Sequence, residues 1–379
     1  MTNINEFMLI CTLKKQFDRE PINRFGNNFN RDKFAKFKNR LKFEVAQLFP
    51  VNEKGKQYED KILSEHLTTV RRVNKEQYVA AGCVYRRFAG ATIKVQTMKV
   101  EALVVELSYT VHNFVAYKNI IIAADYSQGL FVTSLDSRAD RQIALTDYKL
   151  CSDIRGCNAL TCGLNMEMDT HKPFYHMAYL MCEQNKLVRF NLKHIDPLNP
   201  KATADKLDIK VVYQSNSHAI FYVACKHVYV MSDNKLTKID KTSLKAKEYD
   251  QQIEGDAIYR IVGDDHHIYA MSGATMHLLA ISQNSVTKLD SIVSKTFDSA
   301  LTRMLIPCQF RGVNFVVRLH ESPVVISVYA SLRKKLHIIL EHKVDTNNDQ
   351  VLGGIYDHET ERIIISLEYH GSQTFKLTY

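Results

Sequence analysis

A six-residue phrase occurs twice in this chain, His227-Val-Tyr-Val-Met-Ser232 and His267-Ile-Tyr-Ala-Met-Ser272. Each copy follows a matching apolar run, Ala219-Ile-Phe-Tyr-Val-Ala224 and Ala257-Ile-Tyr-Arg-Ile-Val262. From His227 to His267 the period is 40 residues, inside the range of roughly 20 to 50 that marks repeat architectures. Two strand-like runs per repeat point to propeller blades rather than helical solenoids.

The same hairpin can be followed elsewhere as an apolar run, a polar turn and a second run. Taking Ile121, Tyr179, Val228, Ile268, Phe315 and Ile363 as anchors, successive copies stand at the spacing of four-stranded blades, roughly 40 to 50 residues, the first interval being longer. A further hairpin, Tyr78 to Tyr85 with Ala91 to Met98, lies upstream. The runs are rich in Val, Ile, Tyr, Phe and Thr and are bounded by turn clusters, as strands require. The reading is an all-β propeller of seven blades over residues 61–379, or six if residues 137–175 are an insertion. The ring is expected to close by pairing residues 66–73 into the sheet of the C-terminal hairpin, since an open sheet edge invites edge-to-edge association.

Residues 1–60 read differently. Between Lys14 and Lys42 ten Lys or Arg stand against three acids, Asp18, Glu20 and Asp32, so most of the formal net charge of +9 is concentrated there. Phe34, Phe37, Leu41, Val45 and Leu48 recur at helical spacing, which predicts an amphipathic helix over residues 31–49, capped by Asn30 and stopped by Pro50. Residues 50–60 have the composition of a linker.

In architecture the region 66–379 resembles the WD-repeat-like propeller superfamily. The Gly-His and Trp-Asp signatures of true WD repeats are absent, and the chain has no Trp at all.

Candidate chemistry is sparse. Cys151, Cys157 and Cys162 with His171, His176 and Cys182 form the densest group of potential metal ligands, but the cysteine spacings are not those of zinc knuckles. Asp264-Asp265-His266-His267 offers carboxylates and imidazoles in a row, yet neighbouring side chains of an extended segment point to opposite faces, so a polar hairpin turn is the better reading. The sequence contains no nucleophile elbow, phosphate-binding glycine loop, kinase signature or zinc-helix motif. No cofactor or metal is expected. The eight cysteines lie mostly singly in apolar runs, as buried thiols of a reducing compartment do. The sequence has no run of 18 apolar residues long enough to cross a membrane as a helix, and the apolar stretch Phe7 to Leu13 has its positive charge on the wrong side for a secretory signal.

The functional expectation is a non-enzymatic interaction platform, a scaffold or adaptor subunit of a cytoplasmic or nuclear assembly with protein partners. The stripe Phe34, Phe37, Leu41, Val45 and Leu48 is its docking element. An alternative is a nucleic-acid-associated protein gripping phosphates with Arg24, Arg31, Lys33, Lys36, Lys38, Arg40 and Lys42, helped by Phe25 and Phe29. A further alternative is an enzyme with its site at the central channel.

Overall fold

The computed structural model describes residues 41–47, 69–72, 77–84, 87–94, 100–107, 111–125, 129–134, 166–182, 185–196, 198, 206–293, 302–310, 313–320, 323–332, 334–345, 351–367 and 371–378. Among the described residues the extended elements are 27 strands, β1 to β27.

Five sheets are complete blades built from four consecutive antiparallel strands. Sheet I holds β2 (Thr69–Arg72), β3 (Gln77–Val84), β4 (Arg87–Lys94) and β5 (Val100–Leu107). Sheet III holds β9 (Met166–Met168), β10 (Met177–Cys182), β11 (Lys186–Asn191) and β12 (Lys210–Gln214). Sheet IV holds β13 (Ala219–Val223), β14 (His227–Ser232), β15 (Lys235–Asp240) and β16 (Ala246–Gln252). Sheet V holds β17 (Ile258–Gly263), β18 (His267–Ser272), β19 (Thr275–Ile281) and β20 (Val286–Val293). Sheet VI holds β21 (Thr302–Phe310), β22 (Val313–His320), β23 (Val325–Leu332) and β24 (Lys335–Lys343).

The other two sheets are built differently. Sheet II has three strands among the described residues, β6 (Val111–Tyr117), β7 (Ile120–Asp125) and β8 (Gly129–Ser134). Sheet VII is composite: β25 (Val351–Asp357), β26 (Arg362–Leu367) and β27 (Gly371–Thr378) are completed by β1 (Lys42–Gln47) from the other end of the chain. The expected ring of seven blades, or six, is therefore corrected to five complete blades of consecutive strands, one composite sheet and one three-stranded sheet. Counting one hairpin per period scored every sheet alike, because the hairpin is the part they share.

The first strands lie side by side in the order β2, β6, β9, β13, β17, β21, β25, and β25 returns to β2. The ring is thus closed, but not as expected. β2 pairs with β3 as the first strand of its own sheet, and β27 takes β1 as its outer partner, from Lys42 opposite Thr378 to Gln47 opposite Gln373. The segment 42–47 is therefore strand, and no helix spans it. Leu41 is 5% exposed, Lys42 exposed, Phe43 half-buried and Glu44 exposed, so the period-two pattern of an edge strand was present in the same residues that fitted a helical stripe. The unpaired backbone groups along β27 decide between the two, since they can be satisfied only by an extended partner.

Apolar layers fill the spaces between neighbouring sheets. Val228 packs with Tyr179, Met181 and Leu187 of sheet III, whereas the next residue, Tyr229, packs into the layer shared with sheets V and VI. This is strand alternation carried across a buried sheet. Leu41 joins Phe315, Ile326, Ile363 and Phe375 in the core between sheets VI and VII, and the Phe43 ring meets Phe375 edge-on at 5.8 Å.

Candidate interaction face

Antiparallel strands reverse direction at every turn, so the turns joining first to second and third to fourth strands emerge on one face of the ring. On sheets II to V that face carries Lys118-Asn119, residues 169–176, 192–196, 224–226, 241–245 and 264–266. These turns are tied to one another by polar contacts that run from sheet to sheet.

The deepest contact joins sheets III and IV. Lys241 Nζ lies 2.5 Å from Asp169 Oδ2, with both side chains fully buried, and 5.5 Å from the centre of the Phe174 ring. The pair is held by close charge contact rather than by a well-directed hydrogen bond. Burial pulls the Lys241 ammonium below its ordinary pKa, and Asp169 opposes that pull. Asp169 Oδ1 also accepts the His171 backbone N–H at 3.0 Å and lies 3.3 Å from His171 Nδ1. Arg189 Nη1 donates to the Lys241 carbonyl at 3.1 Å. Further inside, Glu167 Oε2 accepts the Val223 N–H of the neighbouring first strand at 3.3 Å.

From Lys241 the connections continue toward sheet V. Its N–H donates to the Lys226 carbonyl at 3.2 Å, and the Lys226 N–H donates to Asp265 Oδ2 at 2.9 Å. His227 Nδ1 stands 2.8 Å from Asp265 Oδ1, and the Tyr229 hydroxyl donates to the Asp265 carbonyl at 3.3 Å. Burial first, and then the Asp265 carboxylate, raise the Tyr229 phenol above its ordinary pKa. The sequence Asp264-Asp265-His266-His267 is thus a hairpin turn whose carboxylates point to different tasks. Asp264 Oδ1 caps its own turn by accepting the N–H groups of His266 and His267 at 2.8 and 2.7 Å, while Asp265 reaches across to sheet IV.

Outside this seam, where sheets II and III meet, the face is aromatic and basic. The Tyr117 and Tyr175 rings are 5.9 Å apart, Tyr175 meets the His176 ring edge-on at 5.6 Å, and Lys118 Nζ is 5.3 Å from the Tyr117 ring centre. The His176 carbonyl accepts the Leu192 N–H at 2.8 Å, which sets the turn bearing Lys193 and His194 beside the loop. Burial, then Lys193, His194 and Lys118, hold the His176 imidazole below its ordinary value, with Asp169 pulling the other way.

Of the residues singled out by sequence, Leu41 is in the ring's own core, Val45 is 45% exposed on the outer edge of sheet VII, and Lys42 is exposed at the start of β1. Phe34, Phe37, Leu48, Phe25, Phe29, Arg24, Arg31, Lys33, Lys36, Lys38 and Arg40 lie outside the described residues, as do Cys151, Cys157 and Cys162. His171 is held by Asp169, His176 by Tyr175, and Cys182 is buried at the end of β10. Among the described residues no group of three His, Cys, Asp or Glu is placed to hold a metal ion. The Lys241–Asp169 pair and the Lys118–Tyr175–Lys193 cluster carried no sequence signal, because their members belong to different turns far apart in the chain.

Neither a protein-family profile nor a curated protein matches this chain. Solved structures do. The β-propeller domain of Myceliophteria thermophila Cps50 (Swd1) superposes with a TM-score of 0.55 at 10% identity, covering 84% of this chain and 98% of that one. In fold, the chain is a β-propeller. The N-terminal domain of Nup159 gives a TM-score of 0.54 at 10% identity, covering 90% of this chain and 96% of that one. A chain from the S. cerevisiae structure of Dbp5 bound to Nup159, Gle1, IP6 and ADP gives 0.55 at 10% identity, covering 90% and 95%. The similarity in each case is one of fold.

Proposed function

We propose that this propeller is a non-enzymatic interaction platform, a scaffold or adaptor subunit of a larger assembly in the cytoplasm or nucleus. The observation that carries the reading is the polar seam from Asp169 through Lys241, Lys226 and Asp265. It fixes the turns of three sheets relative to one another, which is what a surface needs in order to present loops to a partner at low cost in ordering. The charged groups of the seam are engaged in holding sheets together, a use suited to a rigid surface. The similar structures support the same reading, one of them being an assembly in which Dbp5 is bound to Nup159 and Gle1. Free thiols at Cys182, Cys225 and Cys308 fit a reducing compartment. The basic segment 14–42 is a second contact, acting by charge, and it ends at Lys42, which is exposed at the start of β1.

The test is the size and composition of the native protein isolated under gentle conditions. Recovery in stoichiometric complex with other polypeptides is expected. Recovery as a lone 43.6 kDa chain would contradict the reading.

A further inference from the structure

We infer that the junction of sheets II and III on the turn face is a docking site for an acidic protein segment carrying an apolar residue. This rests on the platform reading and names the chemistry of one partner. Tyr175 is 46% exposed, one of the few large apolar side chains on the described surface, and it is not free to collapse. Tyr117 backs it at 5.9 Å and His176 braces it edge-on. Its loop is pinned at both ends, where the Asp169 N–H donates to the Met177 carbonyl at 2.9 Å and the Met177 N–H to the Phe174 carbonyl at 2.7 Å.

Around this ring stand four exposed basic residues, Lys118, Lys172, Lys193 and His194. Lys118 sits at the tip of a tight turn, with φ of 46° followed by 65° at Asn119, so its position is set by the backbone. Among the described residues none of Lys118, Lys172 or Lys193 is paired with a carboxylate. The nearest acid of the loop, Asp169, is buried against Lys241 and His171, and Asp196 Oδ1 accepts the Leu198 N–H at 2.9 Å. A fixed ring ringed by uncompensated ammonium groups is complementary to carboxylates flanking an apolar or aromatic side chain. Single-stranded nucleic acid is a poorer fit, because it is held on successive stacked rings, and among the described residues of this junction Tyr175 is exposed while Tyr117 is buried.

The test uses the full chain and a fluorescein-labelled peptide of about twelve residues, half Glu with one central Phe, read by anisotropy at low and moderate salt. Lys118→Glu with Lys193→Glu is expected to lower affinity by about tenfold or more, and Tyr175→Ala by about threefold to tenfold. A peptide with Gln in place of Glu should bind several-fold more weakly to the parent chain. Lys118→Gln with Lys193→Gln repeats the comparison without new charge, guarding against a reversal that disturbs folding, and should lower affinity in the same direction. Equal binding by the parent and both charge variants would overturn the site. Tighter binding of a thymidine oligonucleotide of similar length, lost in the same variants, would overturn it in favour of nucleic acid. If the native complex persists while peptide binding ignores these substitutions, this site fails and the platform reading stands; if the native chain is solitary, the platform reading itself fails.

Discussion

Breaking the Lys241–Asp169 pair tests whether the seam stabilises the ring or merely decorates it. Both side chains are fully buried at 2.5 Å, so removing one partner leaves the other charged group, or its desolvated neutral form, inside the protein. Such single removals cost about 3 to 5 kcal/mol when nothing else satisfies the survivor. The two variants should differ. Asp169→Asn leaves the Lys241 ammonium with the Phe174 ring and the more distant Asp265 carboxylate, and should fall near the top of that range. Lys241→Met leaves Asp169 with the His171 N–H and imidazole, so about 2 to 3 kcal/mol is expected. The double variant Lys241→Met with Asp169→Asn removes both charges and should sit within about 1 to 2 kcal/mol of the parent, because replacing a buried pair by apolar and neutral groups is often nearly neutral. The assay is urea unfolding at neutral pH, comparing midpoints at constant slope. The reasoning predicts a coupling energy of several kcal/mol. Two single variants that each cost under about 1 kcal/mol and simply add would refute it.

Three further outcomes follow from other parts of the ring. Burial first, and Arg318 second, push the His320 imidazole down to about 3, and the side chain is fully buried with Nε2 3.2 Å from Ser327 Oγ. Between the ordinary imidazole pKa and that value the unfolded chain binds a proton that the folded chain refuses, so stability should fall as pH drops below about 6.5, at up to about 1.4 kcal/mol per unit from this group. His320→Gln should flatten the urea-midpoint profile from pH 7 to 5 by one proton's slope, and an unchanged slope would contradict the assignment. Leu41→Ala should lower stability by about 2 to 4 kcal/mol, whereas Val45→Ala should stay within about 0.5 kcal/mol, as measured by thermal melting; equal effects would mean that residues 42–47 do not pair as described. Asp265→Ala removes the acceptor of the Lys226 N–H and the partner of His227, and should cost about 1 to 3 kcal/mol with faster amide exchange at Lys226, an unchanged exchange rate counting against the seam.

The second strand of each sheet was the most legible part of the fold. Ile121, Tyr179, Val228, Ile268, Phe315 and Ile363 fall on β7, β10, β14, β18, β22 and β26, because strands buried on both faces must be continuously apolar and so announce themselves. Outer strands were harder to read. β16, Ala246–Gln252, buries only Tyr249, and β1 exposes Val45, so edge strands carry patterns that local sequence cannot separate from helix or loop. Leu41 and Val45 fit a helical stripe as well as an edge strand, and the decision lay more than 300 residues away in the open edge of β27. The polar turn at Asp264 to His267 could be read from register alone, while its reach to Lys226 and His227 required the neighbouring sheet. Nothing local marked Lys241 as buried, since a lysine after a strand is ordinarily solvated.

The most direct test of the platform account is cross-linking mass spectrometry on the native assembly with an amine-reactive reagent. Intermolecular links are predicted to concentrate on the turn face, at Lys118, Lys172, Lys193, Lys226 and Lys245, all of which are exposed there. Links to partners confined to the opposite face, or a native chain that yields only intramolecular links, would contradict it.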